Sequence, residues 1–307
     1  MRLVAGTLRE AWSKNSPEIR AIWNGSLPEF IWARRPTDPL QGVPVFVYHL
    51  VDPAELEADL RFLQLNAYET LTGQRFLEYL AGVSGLSDRA VVLTFDDGPR
   101  DFHTTVFPLL RRFAARAVAF IAPAMHAAAD DPLLRARPMS WVEIREIHAS
   151  GCVEFHSHTL ESRSVAGWPG AVPLAGCDPR IESDRRGVTR TLRDDLMLSR
   201  RLLSSELRGA NADHLAFPGY DGTVAAVRIA RAVGFRACYW GLLGGRPLNR
   251  PGRAAAFFIS RMSHEFLRRL PGEGRMSLGE LLGVRLRKVR AARRWRLECR
   301  TASGSLR

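Results

Sequence analysis

The chain has 307 residues, 46% of them hydrophobic and 25% charged, and carries a net charge of +12. These proportions fit a globular protein with room for one large domain, and they exclude a low-complexity or intrinsically disordered chain. No apolar run reaches the roughly 20 residues that a bilayer-spanning helix needs. Met1 to Trp12 also lacks the apolar stretch and small-residue cleavage site of a signal peptide, so the expected location is cytoplasmic.

Residues 1–43 show weak periodicity and several prolines, and carry Trp12, Trp23 and Trp32; they predict an N-terminal arm packed on a domain. Val45-Phe46-Val47-Tyr48 predicts a buried strand, and Asp52 can cap a helix whose face carries Leu56, Leu60 and Leu63. Tyr68 to Leu71 predicts a short strand, and Thr72 opens a helix with Phe76, Tyr79 and Leu80. Ala90 to Phe95 is continuously apolar, as in a strand covered on both faces. A helix from Asp101 to Phe113 and a strand from Ala117 to Ile121 follow. Ser140 caps a helix carrying Val142, Ile144 and Ile147 and ended by Gly151, and the next strand runs from Cys152 to His156. Leu160 to Thr189 is rich in Gly, Pro, Ser and charge and predicts a long loop. Leu192, Leu196, Leu203 and Leu207 share one helical face. A strand at His214–Phe217, a helix at Gly222–Ala232 and a strand at Phe235–Tyr239 complete the alternation.

Repeated strand–helix units imply an α/β fold with a mainly parallel sheet, open or closed into a barrel. In either form reactive groups collect at the carboxyl ends of the strands. That rule brings Tyr48-His49, Asp96-Asp97, His156 to His158 and Pro218 to one rim. Adjacent side chains on a strand point to opposite faces, so one of the two aspartates can bind a metal while the other accepts a proton. Gly98 permits the sharp turn that follows them.

Lys14 and Lys288 are the only lysines, so the positive charge is almost all arginine. It concentrates at the end of the chain, in Arg285, Arg287, Lys288, Arg290, Arg293, Arg294, Arg296 and Arg300. This basic stretch reads either as a solvated face or as a helix resting on anionic membrane lipid. Nucleic acid is not an expected partner, because no recognition motif accompanies the charge. Cys152, Cys177, Cys238 and Cys299 form no Cys-x-x-Cys pair and predict neither a zinc ribbon nor a redox site.

Val45-Phe46-Val47-Tyr48-His49 followed by Leu93-Thr94-Phe95-Asp96-Asp97-Gly98-Pro99 resembles the polysaccharide deacetylases, carbohydrate esterase family 4, which share the NodB homology domain. The resemblance runs from about Val43 to His264, and the Tyr-His start is similar to the subgroup that acts on exopolysaccharides. It implies a distorted, incomplete (β/α) barrel over residues 44–270, leaving 1–43 as the arm and 271–307 as a basic helical extension. It further implies a hydrolase that removes an N-acyl group, usually N-acetyl, from an amino sugar in a glycan or lipid-linked precursor. The implied cofactor is a divalent metal, zinc or else cobalt or nickel. Asp96 matches the general base, and Asp97 and His158 match metal ligands.

The chain departs from the family pattern where a second ligand histidine belongs: Ser162 stands there. A neutral serine is a poor ligand for zinc. His156, two residues before His158 and on the same strand face, is one candidate replacement; His49 and Glu161 are others. The harsher alternative is a degenerate site in a non-catalytic glycan-binding or scaffold protein. Pro218-Gly219-Tyr220 resembles the family's groove-lining loop, with Tyr220 able to stack on a sugar. Met262-Ser263-His264 loosely resembles the motif of the general acid. The competing alignment makes Ile259-Ser260-Arg261 the terminal strand and leaves His264 on the surface.

Overall fold

A computed structural model describes residues 27–285 apart from 50, 127–137, 163–164, 166–179, 182–189, 209 and 221. Its frame is a run of parallel strands: β1 (Val45–Tyr48), β2 (Glu69–Thr70), β3 (Ala90–Asp96), β4 (Ala117–Ile121) and β5 (Val153–Ser157). A short antiparallel pair follows, β6 (Arg180–Ile181), inside the stretch expected to be loop, and β7 (Arg190–Thr191), just beyond it. The main sheet resumes with β8 (His214–Ala216), β9 (Ala237–Tyr239) and β10 (Met262–Ser263). Its order is β10-β1-β3-β4-β5-β8-β9, with β2 paired to the start of β3.

The sheet curls into an incomplete barrel. The segment just before β10 touches the far edge through a parallel bridge between Tyr239 and Ile259, and β10 itself pairs with Phe46 and Val47 of β1. These short contacts join the two ends of the curl. The short pairings leave the barrel distorted, as the family resemblance implied.

Helices pack outside: α1 (Glu29–Trp32), α2 (Pro53–Leu65), α3 (Gly73–Leu80), α4 (Phe107–Arg112), α5 (Pro123–His126), α6 (Trp141–Ala149), α7 (Leu192–Glu206) and α8 (Val224–Ala232). The predicted caps form. Asp52 accepts from the Ala54 and Glu55 amides, Thr72 from Arg75, and Ser140 makes a reciprocal capping box with Glu143. The helix expected from Asp101 begins as a π-turn at Phe102–Val106 before continuing as α4.

Strand alternation divides the core in two. Phe46, Tyr48, Val91, Leu93 and Phe95 face the helices, whereas Val45, Val92, Val118, Phe120, Ala216 and Tyr239 fill the barrel. All of β3 is buried, which accounts for its unbroken apolar run. The same alternation turns Thr94 and Asp96 inward with Val92, so the last residue of β3 delivers a carboxylate into the barrel mouth. α1 packs on the domain through Phe30 and Ile31, both buried. Residues 1–26, the rest of the expected arm, and residues 286–307, which carry most of the basic stretch, lie outside the described residues. Among the described residues no helix is long and apolar enough to cross a membrane.

Candidate active site

Asp96 is 2% exposed. Its Oδ1 accepts from Arg261 Nη1 at 2.7 Å, and the guanidinium is itself fixed by an Nε bond to the Trp240 carbonyl at 3.1 Å. Arg261 is 1% exposed and lies between the rings of Phe120 and Tyr220, 5.5 and 5.4 Å from their centroids. The other oxygen, Oδ2, faces His49 Nε2 at 3.6 Å and His158 Nε2 at 4.0 Å. Burial works to raise the Asp96 pKa, but Arg261, followed by His158 and His49, brings it down to about 2. The carboxylate is therefore ionised throughout the neutral range.

Asp97 leaves the strand with φ of 70° and Gly98 follows at 58°. This left-handed pair turns the Asp97 carboxylate back over the rim, where it stays half-exposed. Its Oδ1 lies 3.6 Å from His158 Nε2. His158 Nδ1 lies 3.0 Å from the Ala216 carbonyl, which can only accept, so this nitrogen carries the proton. Its Nε2 is directed at the two carboxylates.

The turn after β5 is braced by the His158 amide on Ile121 O (2.8 Å), the Leu160 amide on Asp195 Oδ1 (3.0 Å) and a 2.7 Å contact between the Ser157 and Ser199 hydroxyls. It brings Ser162 to Asp97, where the serine hydroxyl donates to Oδ1 at 3.1 Å. The departure from the family motif thus sits at the centre and is already engaged with a carboxylate.

Two carboxylate oxygens and an imidazole nitrogen converge here, and these are donors of the kind a divalent ion takes. Asp97 and His158 are the protein donors of suitable type, and their 3.6 Å separation suits two ligands of one ion with bonds near 2 Å. Among the described residues no group of three His, Cys, Asp or Glu forms a metal site.

His156 does not join this cluster. It shares the inward face with His158, as expected, but it lies one layer deeper. Its ring stacks on His214 at 4.0 Å, and Nε2 is 3.6 Å from Glu154 Oε2. His264 also falls elsewhere. β10 pairs with β1 so that His264 lands on the helix side, stacked on Tyr48 at 4.4 Å with Nε2 3.7 Å from Glu55 Oε2. Tyr48 faces the helices and Asp96 the barrel, so strand β1 stands between them. The competing alignment is corrected as well: the terminal strand is Met262–Ser263 rather than Ile259–Arg261, and His264 is mostly covered rather than on the surface.

Pro218 is buried in a tight turn and offers no open face. Tyr220, at φ of 65°, stands at the rim with its ring edge-on to His49 at 5.6 Å and its hydroxyl 3.5 Å from that imidazole.

Arg261 and the nearness of His49 to Asp96 were not drawn from the sequence as site features. A lone arginine in the apolar setting Phe257-Phe258-Ile259-Ser260-Arg261-Met262 was the available signal, since a charge in such a segment needs a buried partner.

A parallel incomplete barrel with carboxylates and imidazoles gathered at the carboxyl ends of its strands defines the class: an α/β-barrel protein with an Asp–Asp–His centre at its mouth. The polysaccharide deacetylase family model matches residues 84–238, and the chain belongs to that family. A 120-residue stretch is 35% identical to the poly-β-1,6-N-acetyl-D-glucosamine N-deacetylase of Escherichia coli (strain K12), covering 36% of this chain but only 18% of that protein. Among solved structures, IcaB from Ammonifex degensii superposes with a TM-score of 0.57 at 24% identity, covering 72% of this chain and 91% of that one. The BpsB deacetylase domain from Bordetella bronchiseptica gives 0.57 at 22% identity over 74% and 97%. These two likenesses establish the shared fold.

Proposed function

We propose that the chain is a metal-dependent hydrolase that removes an N-acyl group, N-acetyl foremost, from an amino sugar in a glycan or lipid-linked precursor. The observation that carries this reading is the pairing at one rim of a buried ionised carboxylate, Asp96 on Arg261, with a half-exposed Asp97 facing His158 Nε2. The named activity of the E. coli relative, N-deacetylation of a β-1,6-linked N-acetylglucosamine polymer, supports the choice of substrate class.

Asp97 and His158 would hold the ion, with Ser162 beside them. When bound, a divalent ion supplies Lewis acidity, polarising the acyl carbonyl and acidifying a water. Asp96 accepts the proton as that water adds to the acyl carbon. Arg261 keeps Oδ1 occupied, so Oδ2 is the atom that receives it. His49, on the far side of Oδ2, donates a proton to the amine nitrogen as the C–N bond breaks. The products are a carboxylic acid and a free amino sugar. Tyr220 offers a ring against which the sugar can stack.

The test is acetate release from a β-1,6-linked N-acetylglucosamine oligomer, measured for wild type, for Asp97→Ala and His158→Ala, and after chelation and zinc or cobalt restoration. Turnover in the wild type alone, lost on chelation and restored by metal, is the expected result. A second reading rests on Ser162 bonded to Asp97: a protein that binds the glycan without cleaving it. Saturable oligomer binding with no acetate under any metal would establish that reading and overturn the first.

A further inference from the structure

His126 closes α5 and is 2% exposed, yet nothing above uses it. Its Nδ1 lies 2.8 Å from the Met139 carbonyl and so donates to it. The ring fills the space beneath Gly98: a Cβ built on that glycine would fall 2.9 Å from Cε1 and 3.1 Å from Nε2. Met139 in turn donates its amide to the Gly98 carbonyl at 3.1 Å, and Pro99 bridges Pro138. Gly98 donates back to Asp96 O at 2.9 Å. Trp141 covers the imidazole at 6.0 Å between ring centroids. Nε2 has no hydrogen-bond partner among the described residues, while the Asp97 main chain is near enough to act on the ring.

The same short helix grips the other loop of the centre. The Ala124 amide donates to the Leu160 carbonyl at 3.1 Å, two residues beyond His158. One turn of helix is thus bonded to the His158 turn at one end and props the Asp97–Gly98 turn at the other.

We infer that His126 is a positioning residue for the centre, setting where Asp97 stands relative to His158 through the main chain of Gly98 and Met139. The inference rests on the proposed function, because the spacing it sets is that of the two ion-holding side chains. Asp97 adopts a left-handed backbone that most residues avoid. Such a turn persists only where its surroundings over-determine it, and the His126–Met139–Gly98 chain does so from beneath.

The experiment compares His126→Asn with His126→Gln. Both are polar and both fill the buried site, unlike alanine. Asn carries its amide N–H near the Nδ1 position and keeps the Met139 bond, whereas Gln carries it near Nε2 and does not. Cobalt(II) is the probe: its visible absorption reports affinity and ligand geometry without turnover. His126→Gln is expected to weaken cobalt binding and lower kcat by about 10- to 100-fold, the scale for a group that orients a ligand from behind. KM for the oligomer should stay within twofold, the cobalt spectrum should shift, and Asn should recover most of the loss at a matched unfolding midpoint. A Gln variant equal to wild type in cobalt affinity and kcat overturns the inference, as does an equal loss in Asn and Gln. A wild type that neither binds cobalt nor releases acetate removes the functional reading and this inference together. A wild type that does both, beside an unaffected Gln variant, removes this inference alone.

Discussion

Removing the Asp96 carboxylate should do two separable things, and the ion pair with Arg261 fixes their sizes. Both groups are essentially buried, and their contact is 2.7 Å. In Asp96→Ala the guanidinium loses its counter-charge inside the barrel, and breaking a buried pair on one side costs about 3–5 kcal/mol. A second gauge is of the same order: holding the carboxyl at about 2 rather than 3.8 corresponds to about 2–3 kcal/mol in favour of the ionised form. In guanidinium denaturation the midpoint should fall by roughly 1 M. Asp96→Asn keeps an oxygen for Nη1 and should lose less. Asp96→Ala combined with Arg261→Met should recover most of the stability while acetate release stays absent, because the proton acceptor is still missing. An Asp96→Ala protein that unfolds at the wild-type midpoint would refute the energetic reasoning. A double variant with restored turnover would refute the assignment of Asp96 as base.

Gly98→Ala places a Cβ 2.6 Å from Ile121 Cγ2 on a backbone at φ of 58°. It should cost about 1–3 kcal/mol in thermal or chemical unfolding and depress turnover with it. His264→Ala should leave kcat within threefold, whereas His49→Ala should lower it by about 10²–10⁴, the usual weight of a general acid; steady-state acetate release separates the two. Asp59, buried beside Tyr48, has its pKa raised to about 6, chiefly by burial, with Arg268, His264 and the Tyr48 hydroxyl opposing. Because its folded pKa lies above the unfolded value, its contribution is full below about pH 4 and is lost as pH rises through 6. Unfolding curves between pH 4 and 8 should show this loss, about 2–3 kcal/mol, and Asp59→Asn should flatten it.

The parts of the site that were legible in the sequence are those written in one short segment. Asp96 ends a fully buried strand and Asp97 follows it, and a two-residue alternation plus a glycine is enough to place one inward and the other over the rim. Ser162 could be located because the family motif implied by the resemblance sets its spacing from His158. The partners of Asp96 could not be read in the same way. Arg261 is 165 positions away in sequence, and what brings it there is curvature of the sheet, which no local pattern encodes. His264 shows the reverse error. Its neighbours fit a motif, but the register of β10 on β1 decides its side, and that register puts it against Tyr48. His156 was given the right face and the wrong depth, because period-two reasoning counts sides and not layers.

Beneath the rim the barrel is stoppered. Phe120 lies under Arg261, and below it come the stacked rings of His156 and His214, with Tyr239 against both Phe120 and His214, all of them buried. Among the described residues these rings close the centre from below, and the half-exposed Asp97 marks its open side. On the proposed chemistry, the small acid forms above these rings while the sugar lies toward Tyr220 at the rim. On that reading the acid and the sugar leave by the same side, so a glycan that stays bound after cleavage slows the release of the acid.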